Sequence, residues 1–280
     1  MISLFTIPRS FAGSTGVRQR NAIGTWLRAI PDVEVLLLGD DPGVADVATE
    51  LGVRHIPAVR RNEFGTPFLD SAFALAEERA RHDLLGYINT DILLISDFVE
   101  ALQRVPYERS LVVGRRTDLD VEELLDFNER WQQELRQRAT RDGKLLHPYG
   151  CDFFVFRKRT GLTELPPFVV GRPGWDNWFI ARALQLAIPV VDITPVSLAV
   201  HQNHGYAHVP AARGKAWEGP EGDRNYGLAG GMYASILDAT HRLTARGVVK
   251  NRKARRLFLR VWYAIVKRCA RFVPTSTRVT

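Results

Sequence analysis

The chain is poor in cysteine and has no long apolar run. Its two cysteines, Cys151 and Cys269, stand far apart without Cys-x-x-Cys spacing. That argues against a disulfide framework or a cysteine-bound zinc, and a reducing, cytoplasmic setting is expected. No uninterrupted apolar stretch approaches the ~20 residues that span a bilayer. The opening run, Ile2 to Ile7, is short and leads straight into what reads as a strand, so no signal peptide is expected. Acidic residues are missing altogether after Asp238, while twelve of the 38 Lys and Arg lie beyond it. The first 238 residues therefore hold 26 cations against all 31 acids, a net charge of −5, and residues 239–280 carry +12. A mildly acidic body argues against nucleic-acid binding by the whole chain. The asymmetry points to a tail with a partner of its own.

What is present reads as a globular α/β protein. At 280 residues, 45% hydrophobic and 25% charged, the chain is long enough for one large domain with an appendage. Strand signals (Ile2–Ile7, Val33–Leu38, Val53–Ile56, Leu84–Ile88) alternate with helical spacing (Val17–Ile30, Val44–Leu51, Thr66–Arg81). That order predicts a mostly parallel sheet flanked by helices, with ligands beyond the carboxyl ends of its strands. The second half is more mixed. It holds a strand at Leu111–Val113, a helix over Val121–Arg138, an aromatic strand at Asp152–Phe156, a helix at Trp178–Leu186 and short strands at Val190–Ile193 and Ser197–Val200. Pro210–Gly231, rich in Gly and Pro, predicts a long loop or lid.

Three constellations carry chemistry. Asn89-Thr90-Asp91 closes a buried strand, where a carboxylate can offer oxygen to Mn²⁺ or Mg²⁺ bridging a diphosphate; the plainer alternative is a turn cap. His201, His204 and His208 crowd eight residues after the Ser197–Val200 strand, and neutral imidazole ligates such ions. In Gly171-Arg172-Pro173-Gly174-Trp175-Asp176-Asn177-Trp178, a carboxylate at a helix start sits between two tryptophans. Asp176 can take a hydroxyl proton while the rings stack on a sugar, or it can be an N-cap between core anchors. Arg18, Arg20 and Arg61 are candidate phosphate grips, Gly65-Thr66-Pro67 opens a helix that can receive an anion, Asp152 is a candidate sugar contact, and Gly114-Arg115-Arg116 is a candidate donor neighbour.

With these residues in view, roughly residues 1–210 resemble the GT-A family of nucleotide-diphospho-sugar glycosyltransferases. The resemblance implies a Rossmann-like catalytic domain over 1–210, a loop or lid over 211–235 and a basic helical tail over 236–280. Asn89-Thr90-Asp91 stands where the family has its DXD-like motif, with Asn in the first place, so Asp91 is the main acidic ligand. His201 looks like the family's late histidine ligand, with His204 beside it, and Asp176 resembles the base of inverting members. The resemblance implies a donor site around Thr6, Pro8, Arg18, Arg61, Asn89 and Thr90. It implies an acceptor, a glycan or small molecule, near Asp152, Arg172, Trp175 and Asn177.

Two other functions compete. A sugar-phosphate nucleotidyltransferase needs a Gly-rich basic loop after the first strand, faintly suggested by Gly13-Ser14-Thr15-Gly16. A non-catalytic nucleotide-sugar-binding protein fits the Asn at position 89. In the tail, Phe258, Trp262, Ile265, Cys269 and Phe272 recur at helical steps among arginines and lysines. That pattern suits an anionic membrane surface on the cytoplasmic side or a docking face on protein.

Overall fold

The computed structural model describes residues 1–204 and 218–252. The first half alternates as expected: β1 (Ser3–Thr6), α1 (Gly13–Ala29), β2 (Glu34–Leu38), α2 (Val44–Leu51), β3 (Arg54–Ile56), α3 (Leu69–Arg79) and β4 (Leu84–Ile88). There follow β5 (Ile92–Leu94), α4 (Asp97–Gln103), β6 (Leu111–Val113), β7 (Thr117–Leu119), α5 (Trp131–Asp142), β8 (Lys144–Leu145) and β9 (Phe153–Arg157). Then come α6 (Trp175–Gln185), β10 (Val190–Asp192), β11 (Ala199–Gln202), α7 (Pro220–Ala229), β12 (His241–Thr244) and β13 (Gly247–Lys250).

Nine strands form the main sheet in the order β13-β12-β10-β6-β9-β4-β1-β2-β3. All pairings are parallel except those of β9 with β4 and β6, and of β13 with β12. Both faces are buried, so side chains alternate between two cores. Val35 and Leu37 of β2 face α1 and its Trp26, while Leu36 and Leu38 face α3 and α6 with Phe73 and Phe179. The Trp26 indole N–H donates to the Ile92 carbonyl at 2.8 Å, satisfying its one polar group while the ring is fully buried. A second sheet has the order β5-β11-β7-β8, and its β5 follows the carboxyl end of β4 after Asn89-Thr90-Asp91.

The antiparallel β9 decides where the site lies. Because it runs against β4, with Ile88 opposite Phe153, its amino end meets the carboxyl end of β4. The Asn89 amide donates to the Asp152 carbonyl at 3.0 Å.

Four expectations need correction. Residues 121–130 are not helical. The buried Asn21 amide donates to the Glu123 carbonyl and accepts from the Leu125 amide, holding that stretch as a strap, and α5 starts only at Trp131. Residues 220–229 form α7, although the Gly and Pro content reads as a loop. Pro220 suits the first turn, and the Asn225 side chain exchanges hydrogen bonds with both backbone groups of Val169, pinning the helix down. Residues 241–250 form a hairpin rather than the start of a helical tail, and β12 extends the main sheet from β10, well past residue 210. Its turn needs Gly247, at φ 119°. Lastly, His201 lies within β11 and not after it. His208, and the tail from 253 onward, lie outside the described residues.

Candidate metal centre and cleft

Two strand registers build the centre. In the small sheet, β11 pairs antiparallel with β5, so His201 stands opposite Ile92, the neighbour of Asp91. It also pairs parallel with β7, which sets His201 beside Asp118. Directly paired residues project to the same side of a sheet. The outcome is Asp118 Oδ1 3.0 Å from His201 Nδ1, with the opposite ring nitrogen, Nε2, 3.6 Å from Asp91 Oδ2. His204, two residues beyond β11, brings its Nε2 to 2.9 Å from the same Asp91 oxygen.

One ligand atom each from Asp91, His201 and His204 lies within 4.8 Å of the others, a spacing that suits a shared cation. Asp91 Oδ1 is buried with no hydrogen-bond partner among the described residues. Buried carboxylate oxygens are rarely left so, and a cation would satisfy this one. Burial by itself would raise the Asp91 pKa. The imidazoles of His201 and His204 beside it outweigh that and hold the carboxyl well below the usual carboxylate range. Burial would lower the His201 pKa, and the Asp91 carboxylate raises it instead.

Around this centre runs a second layer, in which Asn89, Asp152 and Arg116 were legible as candidates from the sequence and Asp118 was not. Arg116 bonds Asp118 through Nε and Asp152 through a terminal nitrogen, both at 2.8 Å. Asp152 also accepts from the Asn89 amide at 2.8 Å, and Asn89 Oδ1 accepts from the Tyr87 hydroxyl at 3.0 Å. Asn89 is thus fully engaged in orienting Asp152. The fully buried Gln202 donates to the carbonyls of Arg18 and Asp91 and accepts from Asn21, tying β11 to α1. A glutamine inside an apolar strand was the available signal for it.

Other candidates fall elsewhere. Thr6 and Thr90 are buried and share a 2.7 Å hydroxyl–hydroxyl bond joining the ends of β1 and β4; Pro8 is buried beside them. Arg18, on α1, reaches Thr15 at 3.3 Å and forms no ion pair among the described residues. Arg61 is committed to Asp40 and Asp41, at 2.6 and 2.7 Å. Arg172 is paired with Glu221 at 2.5 Å, both only 10% exposed. Trp175 is a core residue, 6% exposed, among Phe73, Tyr87, Phe154 and Phe179, and Trp178 packs on Phe168; neither offers a ring to a ligand. Asn177 is a buried strut whose amide donates to the carbonyls of Tyr149 and Ala234, each at 2.9 Å.

Asp176 remains partly open in the first turn of α6. Burial pushes its pKa up to about 6, opposed by backbone hydrogen bonds from Asn177 and Cys151, with the nearby Asp152 charge raising it further. A carboxyl poised there exchanges a proton near neutral pH. Arg9, not singled out from the sequence, lies after β1 with its backbone held by Gln19. Its charge acts on Asp91, Arg172 and Arg18, and its side chain has no ion-pair partner among the described residues.

No protein-family model matches the chain. No curated protein matches it either. Among solved structures it is similar to glucosyl-3-phosphoglycerate synthase from Mycobacterium tuberculosis in complex with Mn²⁺, UDP-Glc and phosphoglyceric acid. The identity is 16%, covering 81% of this chain and 80% of that one, with a TM-score of 0.48. It is also similar to S. aureus TarS 1-349, at 9% identity over 72% of this chain and 60% of that one, with a TM-score of 0.49. At TM-scores below 0.5, what the cleft does has to be read from its own residues.

Proposed function

We propose that the chain is a divalent-metal-dependent glycosyltransferase of the GT-A type, moving a sugar from a nucleotide-sugar donor to an acceptor hydroxyl. The observation that carries this reading is the Asp91–His201–His204 cluster, with its partnerless Asp91 oxygen, at the carboxyl end of parallel strands. Asp91, His201 and His204 would hold the ion; two imidazoles favour Mn²⁺ over Mg²⁺, which prefers oxygen ligands. When bound, the ion neutralises charge on the departing diphosphate.

The chain's own residues supply the rest. Arg9 and Arg18, cations with no ion-pair partner among the described residues, would flank the diphosphate. The Asp176 carboxylate would take the proton of the acceptor hydroxyl while the acceptor oxygen bonds to the anomeric carbon. The bond from that carbon to the diphosphate breaks as it does so, with inversion. A nucleotidyltransferase is disfavoured because Gly13–Gly16 form the first turn of α1 and not an open loop. The basic stretch of 239–280 would hold the enzyme at an anionic membrane surface, which flotation with anionic vesicles would test. No described helix is long and apolar enough to cross a membrane.

The central test is thermal stability with each nucleoside diphosphate, with and without Mn²⁺, for the wild type, Asp91→Ala and His204→Ala. A Mn²⁺-dependent rise for one nucleotide, absent in both variants, supports the donor site. No rise for any nucleotide in the wild type sinks it.

A further inference from the structure

Three tyrosines surround the start of α6. Tyr226, on α7, lies over Gly174, where an added Cβ would stand 3.5 Å from the ring, and it is 49% exposed. Tyr233, just after α7, is 50% exposed, and its ring centroid lies 6.3 Å from that of Tyr149 at a 44° tilt. The segments bearing Tyr149 and Tyr233 are fixed by one side chain, since Asn177 donates to the Tyr149 carbonyl and to the Ala234 carbonyl. Asn177 follows Asp176 in the same turn. The rings are thus held as a wall around that carboxylate.

The charges of this rim are also decided. Arg172 is consumed by Glu221 at 2.5 Å, and Arg224 of α7 pairs with Glu63 at 3.5 Å. Arg116 is spent on Asp118 and Asp152. The Asp176 carboxylate, in no ion pair among the described residues, is the charge that acts on both Tyr226 and Tyr233. Burial and the Asp176 charge together keep the Tyr226 and Tyr233 hydroxyls protonated, so they remain neutral donors. A phosphorylated or carboxylated acceptor would meet repulsion here.

We infer that Tyr149, Tyr226 and Tyr233 form an acceptor subsite for an uncharged saccharide, whose apolar ring face stacks on the tyrosines and whose hydroxyl reaches Asp176. This deepens the transferase reading and rests on it for the identity of the acceptor hydroxyl. A sugar ring presents C–H groups on one face and hydroxyls at its edge, matching an aromatic wall with a carboxylate at its foot.

The test is ligand-observed NMR titration of the full chain with cello-, malto-, chito- and mannotetraose, and with glucose 6-phosphate and phosphoglycerate. Each is run with and without Mn²⁺ and nucleoside diphosphate. At least one neutral tetrasaccharide should bind, with affinity about tenfold weaker in Tyr226→Ala and Tyr233→Ala and within about twofold of wild type in Tyr226→Phe, because stacking survives without the hydroxyl. Binding of the anionic probes alone, of no neutral probe, or of neutral probes equally well to the alanine variants would overturn the assignment. The Mn²⁺-dependent thermal shift separates the two readings. If it persists while saccharides fail, the acceptor class is wrong and the donor site stands. If it is absent while saccharides bind, the subsite stands and the transferase reading falls.

Discussion

Asp118 Oδ1 lies 3.0 Å from His201 Nδ1, and that contact orients the imidazole within the Asp91–His201–His204 cluster. In the neutral ring, a carboxylate accepting from Nδ1–H would leave the Nε2 lone pair on the side of Asp91 for a cation. Asp118→Ala should weaken Mn²⁺ binding about 10- to 100-fold while Asp118→Glu recovers part of it. Mn²⁺ titration followed by electron paramagnetic resonance reads the affinity directly. Equal affinity in Asp118→Ala and wild type would mean the contact has no orienting role.

Asp176 sets a pH dependence. As the proposed base it must be ionised, so kcat/KM should rise with pH through a midpoint near 6 and lose that limb in Asp176→Asn, with activity down at least about 100-fold. Stability runs the other way. A carboxyl whose folded pKa is raised binds more protons folded than unfolded, so stability falls as pH climbs from about 4 to about 6. Asp176→Asn should therefore melt higher than wild type at pH 8, by at most about 3 kcal/mol, and gain little at pH 4. Chemical denaturation at the two pH values measures the difference.

Trp175 is a test of core against ligand. Buried among four aromatic rings, its replacement by Ala should cost about 3–5 kcal/mol of stability. Urea midpoints measure this. A variant of unchanged stability that had lost only acceptor affinity would contradict the packing role.

Arg9 and Arg61 should separate cleanly. Arg9→Ala removes a cation with no ion-pair partner among the described residues, so it should weaken nucleoside diphosphate binding about tenfold with little change in Tm. Arg61→Ala breaks pairs with Asp40 and Asp41, three-quarters of its side chain being buried, and should lower stability by about 1 kcal/mol with diphosphate affinity intact. Calorimetric titration of both variants distinguishes them.

The sequence by itself determined the α/β alternation, because short apolar runs such as Val35–Leu38, bounded by turn residues, alternate with segments of helical spacing. It also determined Asp91 and the histidine cluster, because a carboxylate after a buried strand and crowded imidazoles are local patterns. Hairpin and helix in 220–250 were not legible. There Asn225 and the edge of β10, remote in sequence, override Gly, Pro and basic content. The tryptophans at 175 and 178 looked like sugar platforms, and only packing of α6 on β4 and β9 turned them inward. Tertiary structure alone decided the partners of the centre. Asp118, Arg116 and Asp152 come from β7, the loop before it and the start of β9, and no local spacing links them to Asp91. They meet because one antiparallel strand returns its amino end to the carboxyl end of β4, and because β11 sets His201 between β5 and β7.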